Sequence, residues 1–157
     1  MVITTTEKLR EEFISRGVTK PVEIVPSGFS KRDIDHGLAE ELANSFNPQR
    51  LQVVGYCGST LELKEEKPSQ GDIALLARAM QAVWAEAPQT QLWLVGKPSI
   101  EVTEWAKREP QVRLFGLVPR SKLLAYIQNF TVATYPRRID HGGRFSIKLV
   151  EYMGLGI

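Results

Sequence analysis

The fold is decided by a seven-residue stretch, LQVVGYC at positions 51–57. It is a mostly apolar run of strand length, which is typical of a β-strand covered on both faces. Three later runs have the same character: QLWLVG at 91–96, QVRLFG at 111–116 and FTVATY at 130–135. Helical patterns lie between them, from Ile73 to Trp84, around 100–108 and after Pro119. Strands and helices that alternate with short connections predict an α/β fold with a doubly wound, mainly parallel sheet.

The carboxyl ends of the predicted strands mark the expected ligand site. In open parallel sheets, ligands bind in the crevice outside these ends. Three of the four predicted ends carry a glycine, at Gly58, Gly96 and Gly116. Glycine lets a ligand or another stretch of backbone approach closely, because it has no side chain.

The run FSIKLVEYMGLG at 145–156 predicts a loop that turns into a short helix. Ser146 is a favoured N-cap residue, and Lys148 and Glu151 are three apart and so share one helix face. An apolar stripe is expected from Ile147, Val150 and Met153. Helix N-termini bind phosphate, and a carboxylate accepts hydrogen bonds from a ribose diol. The run therefore favours a sugar nucleotide as the ligand.

Composition excludes several classes of function. Of the 157 residues, 43% are hydrophobic, which is enough for one core of ordinary size. The 20 Lys and Arg residues are balanced by 18 Asp and Glu and form no basic stripe, so nucleic acid is not an expected partner. Without an apolar run of membrane-spanning length or a signal-peptide pattern, we expect a cytoplasmic location.

The cysteine and the histidines do not predict a metal site. Cys57 is the only cysteine, so an internal disulfide or a CxxC site is excluded. We expect it to be a small buried residue at a strand end rather than a nucleophile. The only histidines, His36 and His141, lie far apart and are expected on the surface, so no metal is expected.

The first fifty residues predict smaller elements. A strand at 1–5 is followed by a helix capped by Thr5 or Thr6, which ends at Gly17, and then by a strand at 22–25. Residues 31–46 are charged and weakly amphipathic, which predicts a surface helix or a linker. Because the sequence stops at a helix-to-strand turn, we expect it to be a piece of a longer protein.

The region from about Leu51 onwards resembles the C-terminal, nucleotide-sugar-binding domain of GT-B glycosyltransferases, of the family 4 or glycosyl transferase group 1 kind. The resemblance rests on four landmarks in order: Gly58 with Lys64 six residues later, LVG at 94–96, VRLFGLVP at 112–119 and SIKLVEYM at 146–153. It implies that residues 1–47 are the tail of an N-terminal domain and a linker. Residues 48–157 would then be a Rossmann-like donor-binding domain, truncated at its C-terminus.

The resemblance also implies roles for individual residues. Glu151 would hold the ribose hydroxyls, and Lys148 would approach the diphosphate together with the free N–H groups at the helix start. The nucleobase would be framed by Leu117, Val118 and Leu123. The implied donor-binding set is Gly58, Ser59, Lys64, Gly116, Leu117, Val118, Leu123, Ser146, Ile147, Lys148 and Glu151. Catalytic residues stay unassigned.

The implied activity is transfer of a sugar from a UDP or GDP sugar to an acceptor, without a required cofactor or metal. The acceptor would be a glycan, a lipid-linked sugar or a small molecule, bound by an N-terminal domain that is largely missing here. This piece alone is expected to be inactive, and a peripheral membrane contact of the full-length protein stays open.

Two positions depart from the family pattern. Ser59 stands where the family often has an arginine that neutralises the pyrophosphate, and Gly143 stands where it often has a first glutamate. A serine hydroxyl cannot replace the charge of a guanidinium, although Arg137, Arg138 or Arg144 could compensate.

Other interpretations stay open at this point. Lys64 lies in KEEK at 64–67, which is equally typical of a solvated loop, and Glu151 and Lys148 could form an ordinary surface pair. The chain could be a non-catalytic doubly wound domain for nucleotide binding or interaction. It could also be another GT-B enzyme, such as a sugar-nucleotide epimerase or, with less support, a phosphorylase.

Overall fold

A computed structural model describes residues 1–63, 73–136 and 146–157 of the chain. The elements follow one another as β1 (Val2–Thr4), α1 (Glu7–Ser15), β2 (Val22–Ile24), a 3-10 helix (Lys31–Asp33), α2 (His36–Phe46), β3 (Val53–Leu61), α3 (Ile73–Glu86), β4 (Gln91–Pro98), α4 (Ile100–Arg108), β5 (Val112–Leu114), α5 (Arg120–Ile127), β6 (Val132–Ala133) and α6 (Ile147–Leu155).

The strands form parallel sheets. In the described ranges, a four-stranded sheet has the order β5-β4-β3-β6, and each neighbouring pair is parallel. The short strands β1 and β2 form a separate parallel pair. The predicted α/β fold with a mainly parallel sheet is confirmed.

The larger sheet is covered on both faces, as the alternating side chains of β4 demonstrate. Trp93 and Val95 pack into one hydrophobic cluster, which also takes residues from α2, α5 and α6. Leu92 and Leu94 pack into a second cluster with residues from α3 and α4. All four side chains are buried, so β4 has no polar face. A strand that is buried on both sides gives the continuous apolar pattern found in the sequence.

Two strands run further than the sequence predicts. β3 continues to Leu61 and β4 to Pro98, although glycine led us to expect exits near Gly58 and Gly96. The pairing register of the two strands shifts between Cys57 and Thr60, which is typical of a bulge. The prediction that the two strands end near these glycines is therefore wrong, because pairing resumes after the bulge.

Glycine is required at Gly96 for two reasons. Its φ of 149° lies in a region that L side chains rarely adopt. In addition, a Cβ at this position would lie 2.2 Å from the carbonyl oxygen of Gly58. The backbones of β3 and β4 therefore meet closely at the carboxyl edge, and the N–H of Gly96 donates to the carbonyl oxygen of Gly116 at 2.8 Å.

The N-terminal elements agree with the sequence analysis in part. α1 is capped by Thr6, whose hydroxyl accepts the N–H of Leu9, as predicted. The region interpreted as a surface helix or linker contains α2, which has a buried face made of Ala39, Leu42 and Ala43. Charged residues on the outer face of α2 obscured this apolar side in the sequence.

The predicted apolar stripe of α6 is wrong. Ile147 and Met153 are exposed, and the buried residues of the helix are Glu151 and Tyr152. The helix takes this rotation because the Tyr152 ring enters the core, where its hydroxyl accepts the N–H of Cys57 at 3.2 Å. As a result, the face that carries Glu151 turns toward the sheet.

Cys57 is a buried thiol, as expected from the sequence. Burial raises the pKa of this thiol to about 12, despite the opposing effects of the hydrogen bond to Tyr152 and of the Lys148 charge. Because the thiolate is the reactive form, the folded chain should keep Cys57 inert at neutral pH.

We expect Gly96→Ala to lower the free energy of unfolding by about 3 kcal/mol or more, because the new methyl group clashes with backbone in a conformation that is strained for alanine. The matched control is Gly17→Ala, with a φ of 84° and no atom within 4 Å of the new methyl group. Backbone strain alone should cost it about 1 kcal/mol. Urea unfolding followed by circular dichroism measures both values, and equal losses would contradict the close approach of β3 and β4.

We expect Cys57 in the folded chain to react slowly with Ellman's reagent at mildly alkaline pH, because the thiol is buried and protonated. In concentrated guanidinium chloride the same thiol should react at once. Comparable rates in both solutions would show that Cys57 is accessible in the folded chain.

Candidate functional site

A cavity of about 220 Å³ lies at the carboxyl edge of the larger sheet, between the ends of β3 and β4, the loop before α5 and the start of α6. Its walls are formed by Cys57, Gly58, Ser59, Val95, Gly96, Leu117, Val118, Arg120, Leu123, Ile147, Lys148 and Glu151. A larger cavity, of about 460 Å³, lies at the opposite edge, against residues 50–52 and 87–90. We take the smaller one as the candidate site, because parallel sheets bind ligands at their carboxyl edge.

Most of the residues predicted from the sequence meet in this cavity. Eight of them line it: Gly58, Ser59, Leu117, Val118, Leu123, Ile147, Lys148 and Glu151. Gly116 and Ser146 stand next to lining residues without lining the cavity themselves. Ser146 occupies the N-cap position of α6, but its side chain makes no capping hydrogen bond.

Several predicted residues lie outside the described ranges. Lys64 is one of them, and so its expected contact with phosphate stays a prediction. The same holds for the positions considered as replacements or departures, namely Arg137, Arg138, His141, Gly143 and Arg144.

Lys148 is held against aromatic rings at the wall of the cavity. Its Nζ atom donates a hydrogen bond to the Tyr56 hydroxyl at 3.3 Å and lies 4.9 Å from the centre of that ring. The centre of the Tyr135 ring is 5.7 Å away. Burial raises the pKa of Tyr56 to about 12, and Cys57 and Tyr135 act in the same direction. Tyr56 is therefore a neutral phenol whose oxygen and ring face both attract the ammonium group.

Glu151 is a charged residue in an almost fully enclosed position. Only 2% of it is exposed. One guanidinium nitrogen of Arg120, Nη2, forms an ion pair with its Oε1 atom. The other carboxylate oxygen, Oε2, has no hydrogen-bond donor within residues 1–63, 73–136 and 146–157. Buried polar atoms in folded proteins nearly always have such a partner, so this carboxylate has unused capacity to accept hydrogen bonds.

The sequence analysis missed four lining residues, Cys57, Val95, Gly96 and Arg120, as parts of the site. Three of them belong to the strands and contribute backbone or small apolar surface. Arg120 left a signal that could have been used. It is the first residue of α5, and a cation at a helix N-terminus is unfavourable for the helix dipole unless an anion lies nearby.

Two kinds of feature are absent from the described part of the chain. No helix there is long and apolar enough to cross a membrane. Within the same ranges, no group of three or more histidine, cysteine, aspartate or glutamate side chains is arranged to hold a metal ion.

Comparison with solved structures identifies the fold. The chain is similar to sucrose-phosphate synthase (tll1590) from Thermosynechococcus elongatus, with a TM-score of 0.66 and 22% sequence identity. The similarity covers 99% of this chain but only 38% of the synthase chain. It supports a Rossmann-like half of a GT-B fold. No match is found among the curated proteins.

Comparison with protein families identifies the group to which the sequence belongs. The family model described as Glycosyl transferases group 1 matches residues 51–157, which is more than half of the chain. The matched region contains the larger sheet and every residue that lines the candidate site. The chain therefore belongs to the group 1 glycosyl transferases.

Proposed function

We propose that this chain is the donor-binding part of a glycosyltransferase that moves a sugar from a UDP or GDP sugar to an acceptor. One observation carries the proposal. The buried Glu151 carboxylate, whose Oε2 has no donor among the described residues, and the Lys148 ammonium line the same cavity at the carboxyl edge of the sheet. A ribose diol supplies two hydroxyl donors for the carboxylate, and a diphosphate supplies negative charge for the ammonium.

Each wall of the cavity suits one part of a nucleotide sugar. Ile147 and Lys148 of the first turn of α6 line the cavity, and a helix N-terminus is a favourable place for phosphate oxygens. Leu117, Val118 and Leu123 provide apolar surface on which a nucleobase can lie. Gly58 and Gly96 lie close together in the cavity wall and carry no side chains, so that a ligand can come close to the backbone there.

The proposed chemistry depends on charge that develops on the leaving group. When the bond between the sugar and the diphosphate breaks, negative charge grows on the departing phosphate oxygens. Donors that already point to this position stabilise the transition state, because they need no reorganisation during the reaction. Lys148 and the amides at the start of α6 would supply these donors without a divalent metal. Catalytic residues that act on the acceptor stay unassigned.

We also propose a division of the chain. Residues 1–47 would connect to an acceptor-binding domain, and residues 48–157 would bind the donor. The chain spans 38% of the synthase chain that it matches, so the acceptor and the activity of the whole protein are proposals. A glycan, a lipid-linked sugar or a small molecule would be the acceptor. The 157-residue chain by itself should bind a donor without transferring its sugar.

We expect the chain to bind UDP or GDP, or one of their sugars, in isothermal titration calorimetry. Lys148→Met should weaken binding by about tenfold or more, because it removes a charged donor to phosphate. Glu151→Gln should have a similar effect, because an amide accepts weaker hydrogen bonds from ribose than a carboxylate does.

The matched controls are Lys122→Met and Glu86→Gln, which change exposed residues outside the cavity wall and should leave affinity unchanged. Absence of binding at millimolar ligand, in a sample shown to be folded, would contradict the proposal. If Lys148→Ala and Glu151→Ala leave sugar transfer by the full-length protein unchanged, the result would favour the alternative that this domain takes no part in catalysis.

A further inference from the structure

Glu151 has two separate physical requirements, and the described residues meet only one of them. A carboxylate that is 2% exposed needs a nearby cation to compensate its charge, and Arg120 supplies it. Its oxygens also need hydrogen-bond donors, and none of the described residues provides one to Oε2. Arg120 thus compensates the charge of Glu151, while Oε2 keeps its capacity to accept hydrogen bonds.

The position of Arg120 is unfavourable for its own helix. It is the first residue of α5, where the helix dipole repels a positive charge, and its side chain is 61% exposed. An exposed ion pair contributes little to stability, but here the other partner is enclosed. This arginine therefore stabilises the charge of Glu151 rather than the helix α5.

We propose that Arg120 is a positioning residue that holds the Glu151 carboxylate in place as the acceptor for the ribose hydroxyls, and so makes the site prefer a ribonucleotide to a deoxyribonucleotide. This inference rests on the proposed function. The guanidinium contacts Oε1 through a single nitrogen, and the two oxygens of a carboxylate offer about four acceptor positions. The ribose can therefore bind without displacing Arg120.

The alternative is that Arg120 competes with the ribose for the carboxylate. In that case the arginine would have to leave before the nucleotide binds, and its removal would strengthen binding. The two possibilities predict opposite signs for the same substitution. We favour the positioning role, because the ion pair involves Oε1 and leaves Oε2 without a hydrogen bond among the described residues.

The test is a thermodynamic cycle that combines the removal of the Arg120 guanidinium with the removal of the ribose hydroxyls. The affinities of the 157-residue chain for UDP and GDP are compared with those for the 2′,3′-dideoxy forms of the same nucleotides. Loss of the hydroxyls should weaken binding to the native chain about tenfold. In Arg120→Gln, UDP and GDP should bind more weakly, and the ratio between ribose and dideoxyribose forms should fall to about threefold or less. Arg120→Lys should restore part of the preference for the ribose form, because it keeps the positive charge next to Glu151.

The control is Lys122→Gln, which removes an exposed cation from the same helix and should leave the ratio unchanged. Thermal unfolding shows that each variant is folded, and a structural defect alone would weaken the ribose and dideoxyribose forms by the same factor. If the native chain binds neither nucleotide, the proposed function fails and this inference with it. If the native chain discriminates and Arg120→Gln discriminates equally well, or binds UDP and GDP more tightly, only the role of Arg120 is overturned.

Discussion

The candidate site depends on how α6 is anchored to the sheet. The ring of Tyr152 enters the core, and its hydroxyl accepts the N–H of Cys57 at the carboxyl end of β3. The surrounding apolar residues raise the pKa of Tyr152 well above its usual value, so that the phenol stays neutral. Because Glu151 directly precedes this residue, the same rotation of the helix encloses its carboxylate. An apolar contact alone would leave the rotation of a nine-residue helix less well defined than this directional bond does.

A second constraint shapes the part of the cavity wall that β3 and β4 form. β3 and β4 approach so closely at Gly58 and Gly96 that no side chain fits between them. The absence of a side chain at Gly58 also leaves room for the Tyr56 ring, which would meet a Cβ at that position at 2.8 Å. Tyr56 in turn provides the surface that holds Lys148. Close packing at Gly58 thus determines where the Tyr56 ring lies, and this ring in turn positions the Lys148 ammonium, which we propose binds phosphate.

The sequence predicted the parts of the molecule that follow from periodicity. Apolar runs identified the parallel sheet, and Thr6 identified the start of α1, because both signals are local. The rotation of α6 was not predictable, since the attraction of Tyr152 to Cys57 joins residues 95 positions apart and overrides the stripe of Ile147 and Met153. The continuation of β3 past Gly58 was missed for a similar reason, because pairing with β4 decides it. Arg120 was missed because its partner lies on another helix.

The unsatisfied carboxylate of Glu151 also bears on how the protein balances activity against robustness. An enclosed acceptor without donors lowers the stability of the empty chain by about 1–3 kcal/mol. A variant with leucine at this position and an apolar replacement for Arg120 should melt at a higher temperature and should no longer bind the proposed nucleotide sugar. Natural variation or engineering that selects for heat resistance alone would therefore replace Glu151, whereas selection for the proposed ligand binding would keep it.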